Sequence, residues 1–188
     1  VTGVQTCALP ISIPHLLGIS QRPVAVDEMI EICHGTPFDE DAYVFDDLDA
    51  LRAMHAASRP LCLFGHTHVQ VGHYLSKDEF GLATEDERRP LTLSLAAADR
   101  YLVNPGSVGQ PRDGDPRAGY GVVDTTRREL TIYRIEYPIE KAQARILAEG
   151  LPEVLAERLA LLPRLAAACD AIAYAHSQRI TCKPMSPG

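Results

Sequence analysis

The chain has 188 residues and contains no tryptophan, no cysteines spaced C-x-x-C and no run of 18 consecutive apolar residues; its cationic side chains are in the minority. The missing apolar run excludes a bilayer-spanning helix, which needs about 20 apolar residues. The longest candidate, Leu159 to Cys169, is interrupted by Pro163 and Arg164. Cys7, Cys33, Cys62, Cys169 and Cys182 are odd in number and without paired spacing, which excludes a disulfide framework and predicts free thiols in a reducing compartment, the cytoplasm. Lys and Arg number 18 against 25 Asp and Glu, a formal charge of −7. A surface of that sign repels a polyanion, so general nucleic-acid binding is not expected. The stretch up to Pro14 has no Lys or Arg to begin a secretory signal.

What is present is an ordinary globular composition, 46% hydrophobic and 23% charged, with length for one domain. Val1 to Ile11 resembles the translation of a sequencing adapter, so residues 1–23 are set aside as a non-native leader. Residues 24–162 form the expected domain. The segment 163–188 is a tail whose end, from Ser177, lacks apolar periodicity.

Within the domain, Glu28 to Cys33 reads as a buried strand that stops at a Gly/Pro turn. Asp46 or Asp47 caps a helix along which Leu48, Leu51, Met54 and His55 recur, until Ser58-Arg59-Pro60 ends it. Leu61 to Phe64 is a short interior strand, and the period-2 alternation from Val69 to Tyr74 marks another. Lys77 to Pro90 is expected to be a charged connection. Leu91–Leu95 and Arg100–Val103 read as further strands, and Tyr120–Asp124 and Glu129–Tyr137 as a pair joined by a polar turn. A helical stripe at Ile139, Ala142, Ile146 and Leu147 ends at Gly150; Pro152 opens a second over Leu151, Leu155, Leu159 and Leu162. The class is α/β (α+β).

The chemistry lies at the strand ends. In Gly65-His66-Thr67-His68 the glycine lets the chain turn sharply, and imidazoles at i and i+2 can converge on a transition metal. His34, in His34-Gly35-Thr36-Pro37, also stands where a strand gives way to a turn, the position at which ligand sites gather in α/β sheets. Asn104 to Arg117 holds six Gly or Pro residues and forms a multi-turn loop whose amides can approach an anion. There Asn104 reads chiefly as a turn-forming hydrogen-bonder and, with Arg112, as a candidate substrate contact, Arg112 offering a phosphate-binding fork. Ser107 has no His/Asp relay in its sequence context, which argues against a serine hydrolase.

These three motifs, in order and spacing over about Val24 to Leu162, resemble the C-terminal half of the calcineurin-like metallophosphoesterases, the small bacterial and archaeal phosphodiesterase branch in particular. The resemblance implies a two-layer β-sandwich flanked by helices, with the N-terminal half of the family domain missing. It implies two divalent metals (manganese, iron, zinc or nickel), with His34 and His66 on one and His68 on the other. It implies hydrolysis of a small phosphoester by a metal-bridging hydroxide. Two divalent cations bring +4 and three neutral imidazoles nothing, so carboxylates are required. The family's Asp-x-His and Gly-Asn-His-Asp motifs have no match here, and no Gly-Asp precedes the histidine motifs. Asp39, Asp41 and Asp46 match no family motif and are not assigned to the metals. The expectation is therefore a fragment with an incomplete, nearly inactive site. The alternative is a non-catalytic module that binds one structural or adventitious zinc through the three histidines.

Overall fold

In the computed structural model, residues 23–77, 79–84 and 89–159 are described. Two sheets face each other. The larger is ordered β1-β2-β3-β7-β4-β5, from Val24–Ala25, Ile30–Ile32, Leu61–Leu63, Arg100–Pro105, Gln70–Ser76 and Glu79–Leu82 respectively; the smaller is β6-β9-β8, from Leu91–Ser94, Glu129–Ile135 and Ala118–Asp124. β2, β3 and β7 run parallel. Their carboxyl ends therefore reach one rim, and His34, the Gly65–His68 segment and Asn104 all stand there.

Period-2 alternation makes the sandwich. Leu61, Leu63, Tyr101 and Val103 of the larger sheet face Leu93, Val123, Leu130 and Ile132 of the smaller one across a buried core. The intervening Cys62 and Leu102, with Cys33 and Phe64, point the other way and pack under helix α1, Asp47–Ala56. This is the expected two-layer sandwich with a flanking helix.

Helix α1 is capped by Asp46, whose carboxylate accepts from Asp49 N at 2.9 Å. Its buried face is Ala50, Ala53 and Met54, whereas Leu48, placed by spacing on the apolar stripe, is 70% exposed. The small alanines let the helix approach the sheet closely, so the larger leucine falls on the outside. Where the chain leaves α1, the buried Glu31 carboxylate accepts from Ser58 N at 3.0 and 3.1 Å and from Ser58 Oγ. That satisfies a charge which would otherwise be costly to bury.

The connection from Lys77 to Pro90 contains a strand, β5, paired antiparallel with β4 at the sheet edge. Its four residues, Glu-Phe-Gly-Leu, are too few and too mixed for alternation to show. Helix α2, Ile139–Ala148, buries none of its residues, and α3 is confined to Glu153–Glu157. Gly150 has a φ of 70° after α2, as its terminating role requires. The leader expected before Pro23, and the stripe and tail expected beyond Leu159, lie outside the described residues.

The core and one buried histidine give two expectations. Ile132 is fully buried between the sheets, so Ile132→Ala costs about 2–5 kcal/mol in urea unfolding; a loss near zero would show that the sheets do not depend on this contact. His73 on β4 is 6% exposed, stacks on Phe80 with centroids 5.5 Å apart, and leaves Nδ1 without a hydrogen-bond partner. Burial pushes its pKa below the ordinary value, against a smaller opposing pull from Asp47. The unfolded chain thus binds this proton more readily, so the stability His73 contributes is complete above about pH 6.5 and declines as pH falls toward the lower folded value. His73→Phe removes this difference and so loses less stability than the wild type between about pH 8 and about pH 5.5. Parallel declines in the two proteins would contradict this.

Candidate metal centre

The His-Thr-His segment leaves β3 with its backbone anchored on both sides: Phe64 N donates to Val103 O at 3.0 Å and Gly65 N to His34 O at 2.9 Å. The sharp turn falls on the histidines and not on the glycine. His66 and His68 have φ of 62° and 59°. A side chain at Gly65 would meet only His34 O, at 3.5 Å. Left-handed backbone costs a residue with a Cβ roughly 1–2 kcal/mol, and histidine is among those that adopt it most often.

Asn104 holds this conformation. Fully buried, it donates through Nδ2 to Gly65 O at 2.8 Å and to Thr67 Oγ1 at 2.9 Å, while its Oδ1 accepts from Gly106 N at 2.9 Å. All three contacts lie within the chain, at the turn-forming position the sequence suggests. Ser107 Oγ accepts from Gly109 N and Gln110 N at 3.3 and 3.0 Å, which fixes the start of the following loop. From that loop Gln110 O meets His68 Nδ1 at 2.8 Å, and Arg112 N donates to His68 O at 3.0 Å.

His34 and His66 are brought together. His34 Nε2 lies 2.9 Å from His66 Nδ1, with the rings edge to face at 4.6 Å. Tyr43 covers His66 at 4.0 Å and stacks on Phe45 at 5.0 Å. A Cβ at Gly35 would lie 2.5 Å from the carbonyls of Glu40 and Ala42, so only glycine lets the segment that leads to Tyr43 fold back here. Tyr43 carries no sequence signal of its own. The only clue to its placement is Gly35.

Burial lowers the His66 pKa, assisted by His34 and Arg112 and opposed by the carbonyl and charge of Asp41. Burial also lowers that of His68, with Arg112, His66 and His34 acting in the same direction and the Gln110 carbonyl against it. Both rings are therefore held neutral at pH 7, the form that ligates a metal. Arg112 is half-buried and near enough to raise the local potential at both histidines. Asp46 is spent as a helix cap and the Asp39 carboxylate accepts from Asp41 N at 3.0 Å, so both carboxylates are engaged in local turns.

The donor set fits a divalent metal in part. Two nitrogens each ~2.0–2.1 Å from one ion and at a right angle around it are about 2.9 Å apart, the separation found between His34 Nε2 and His66 Nδ1. Carboxylates do not complete the set: among the described residues no group of three or more His, Cys, Asp or Glu side chains is arranged to hold an ion. His68 has its Nδ1 turned to Gln110 O, which leaves Nε2 as its other ring nitrogen.

A family model for the Calcineurin-like phosphoesterase superfamily domain matches residues 19–128. An uncharacterized protein of Methanocaldococcus jannaschii is 39% identical over 101 residues, which cover 54% of this chain and 39% of that protein. The crystal structure of a metallophosphoesterase from Sphaerobacter thermophilus superposes with a TM-score of 0.65 at 33% identity, over 80% of this chain and 63% of the other. This chain thus spans less than two-thirds of the length of either protein. With more than half of its residues matched, the chain belongs to the calcineurin-like phosphoesterase superfamily, a family of metal-dependent phosphoesterases.

Proposed function

We propose that this chain supplies the imidazole ligands and the phosphate-facing loop of a hydrolase that cleaves a small phosphomonoester or phosphodiester. The 2.9 Å hydrogen bond between His34 Nε2 and His66 Nδ1 carries the reading, because it brings two imidazole nitrogens within reach of one ion. His68 is the nitrogen donor to a second ion. Manganese, iron, zinc or nickel each suit imidazole donors. When bound, such ions supply positive charge to the phosphoryl oxygens and a nucleophile at neutral pH.

The chain's own residues do the rest. Asn104 keeps the histidine segment in its left-handed form through Gly65 O and Thr67 Oγ1. Arg112 offers a planar fork to a phosphate oxygen beside His66 and His68. No carboxylates are grouped with the histidines among the described residues to balance two cations, which supports reading the chain as a fragment with little activity. Free Cys33 and Cys62, with sulfurs 3.7 Å apart, support a reducing location, the cytoplasm.

A second reading is one zinc held by the three histidines in a non-catalytic module: His34 and His66 already approach within 2.9 Å, and three imidazoles with a water complete a tetrahedral site. Metal stoichiometry measured after equilibrium dialysis separates the two. The hydrolase reading expects two divalent ions per chain, with binding weakened about 100-fold or more by His66→Ala, since even groups behind a ligand are worth about 10–100-fold. A single zinc whose removal unfolds the chain supports the structural module instead.

Activity provides a separate check. With added manganese this chain is expected to turn over bis-p-nitrophenyl phosphate at little more than background. Robust turnover abolished by His66→Ala would refute the incompleteness of the site.

A further inference from the structure

We infer that the buried Arg134–Asp113 ion pair is a positioning device that fixes which nitrogen His68 offers to its ligand; this rests on the assignment of His68 as a metal donor. Arg134 belongs to β9 of the smaller sheet, far in sequence from the histidines, and its side chain is only 5% exposed. Its guanidinium reaches the Asp113 carboxylate through one terminal nitrogen, Arg117 O at 3.2 Å through the other, and Gln70 Oε1 at 3.1 Å through Nε. Asp113 Oδ2 also accepts from Gln70 N at 2.9 Å, and Asp113 Oδ1 is buried without a hydrogen-bond partner. The carboxylate therefore depends on Arg134 for its compensation.

This pair fastens the loop to both sheets. Gln70, two residues after His68, donates through Nε2 to Pro105 O at 2.9 Å and to Tyr133 O at 3.1 Å, so it joins β7 to β9. β8 passes so close that a Cβ at Gly119 would lie 2.8 Å from Pro105 O and 3.2 Å from Gln70 Nε2. The fastened loop then meets His68 twice, through Arg112 N and Gln110 O. A carbonyl oxygen only accepts, so the Gln110 contact requires His68 Nδ1 to carry the proton and leaves Nε2 with the bare lone pair. Charge alone does not do this: three separate acceptors are met by one planar fork, which a lysine ammonium cannot reproduce.

The test is long-range proton–nitrogen correlation of the histidine rings in the metal-free chain, with Mn2+ titration of the same samples and thermal unfolding alongside. Wild-type His68 is expected as the Nδ1–H tautomer. Asp113→Asn, which retains an acceptor for Arg134, and Arg134→Lys, which retains the charge, are expected to fold and to show mixed His68 tautomers, with Mn2+ affinity lower by about 10–100-fold. The role is overturned if both variants fold with His68 still wholly Nδ1–H. It is also overturned if affinity falls only in step with melting temperature. If the tautomers mix as expected but the wild type binds no Mn2+, the positioning role stands and the assignment of His68 as a ligand fails.

Discussion

The amide of Asn104 is the constraint on which the histidine rim depends. It lies at the end of the central strand β7, without exposure to solvent, and grips the adjacent segment at Gly65 O and Thr67 Oγ1. Thr67 separates His66 from His68, so one side chain fixes the residue between the two. A buried amide is tolerable only when its hydrogen-bonding groups are met, and here donor and acceptor both find partners. The same arrangement opposes the preference of His66 and His68 for ordinary backbone. Left-handed φ at two residues in three would relax if the segment were free.

Parallel pairing then determines which groups share that rim. Because β2, β3 and β7 run in one direction, whatever follows each strand emerges at the same edge, and His34 meets His66 although 32 residues intervene. Alternation within those strands divides the remaining side chains between two cores, one against the smaller sheet and one under α1. The sheet is buried on both faces through its middle, and the irregular segments with the polar side chains are left to its ends.

Much of this was legible in the sequence because it rests on local signals. Alternation gave the strands from Val69 and Leu91 onward, Asp46 and Gly150 marked helix ends, and the order of His34, His66-Thr67-His68 and Asn104 pointed to the family and its sandwich. What escaped depends on contacts between distant residues. Leu48 fits the helical stripe, but depth of approach selects the alanine face. β5 exists because β4 offers an open edge, a condition absent from its own four residues. The identity of Gly65 points to the turn there, yet the unusual backbone is at His66 and His68, and of the two glycines beside the histidines it is Gly35 that has no room for a side chain. Tyr43 and Arg134 carry no motif, and only their neighbours give them a role.

The two strained histidines also bear on why such a segment persists. Its backbone costs roughly 1–2 kcal/mol at each left-handed residue, and both rings are held below their ordinary pKa by burial and by nearby positive groups. A segment under selection for stability alone would favour glycine or asparagine at those φ angles and would not set imidazoles beside Arg112. Backbone outliers, neutral imidazoles and a cationic neighbour coincide within a few residues. That combination suits a site whose compensating ligands are a metal ion, which takes up the bare nitrogens, and a phosphate, which takes up the positive charge.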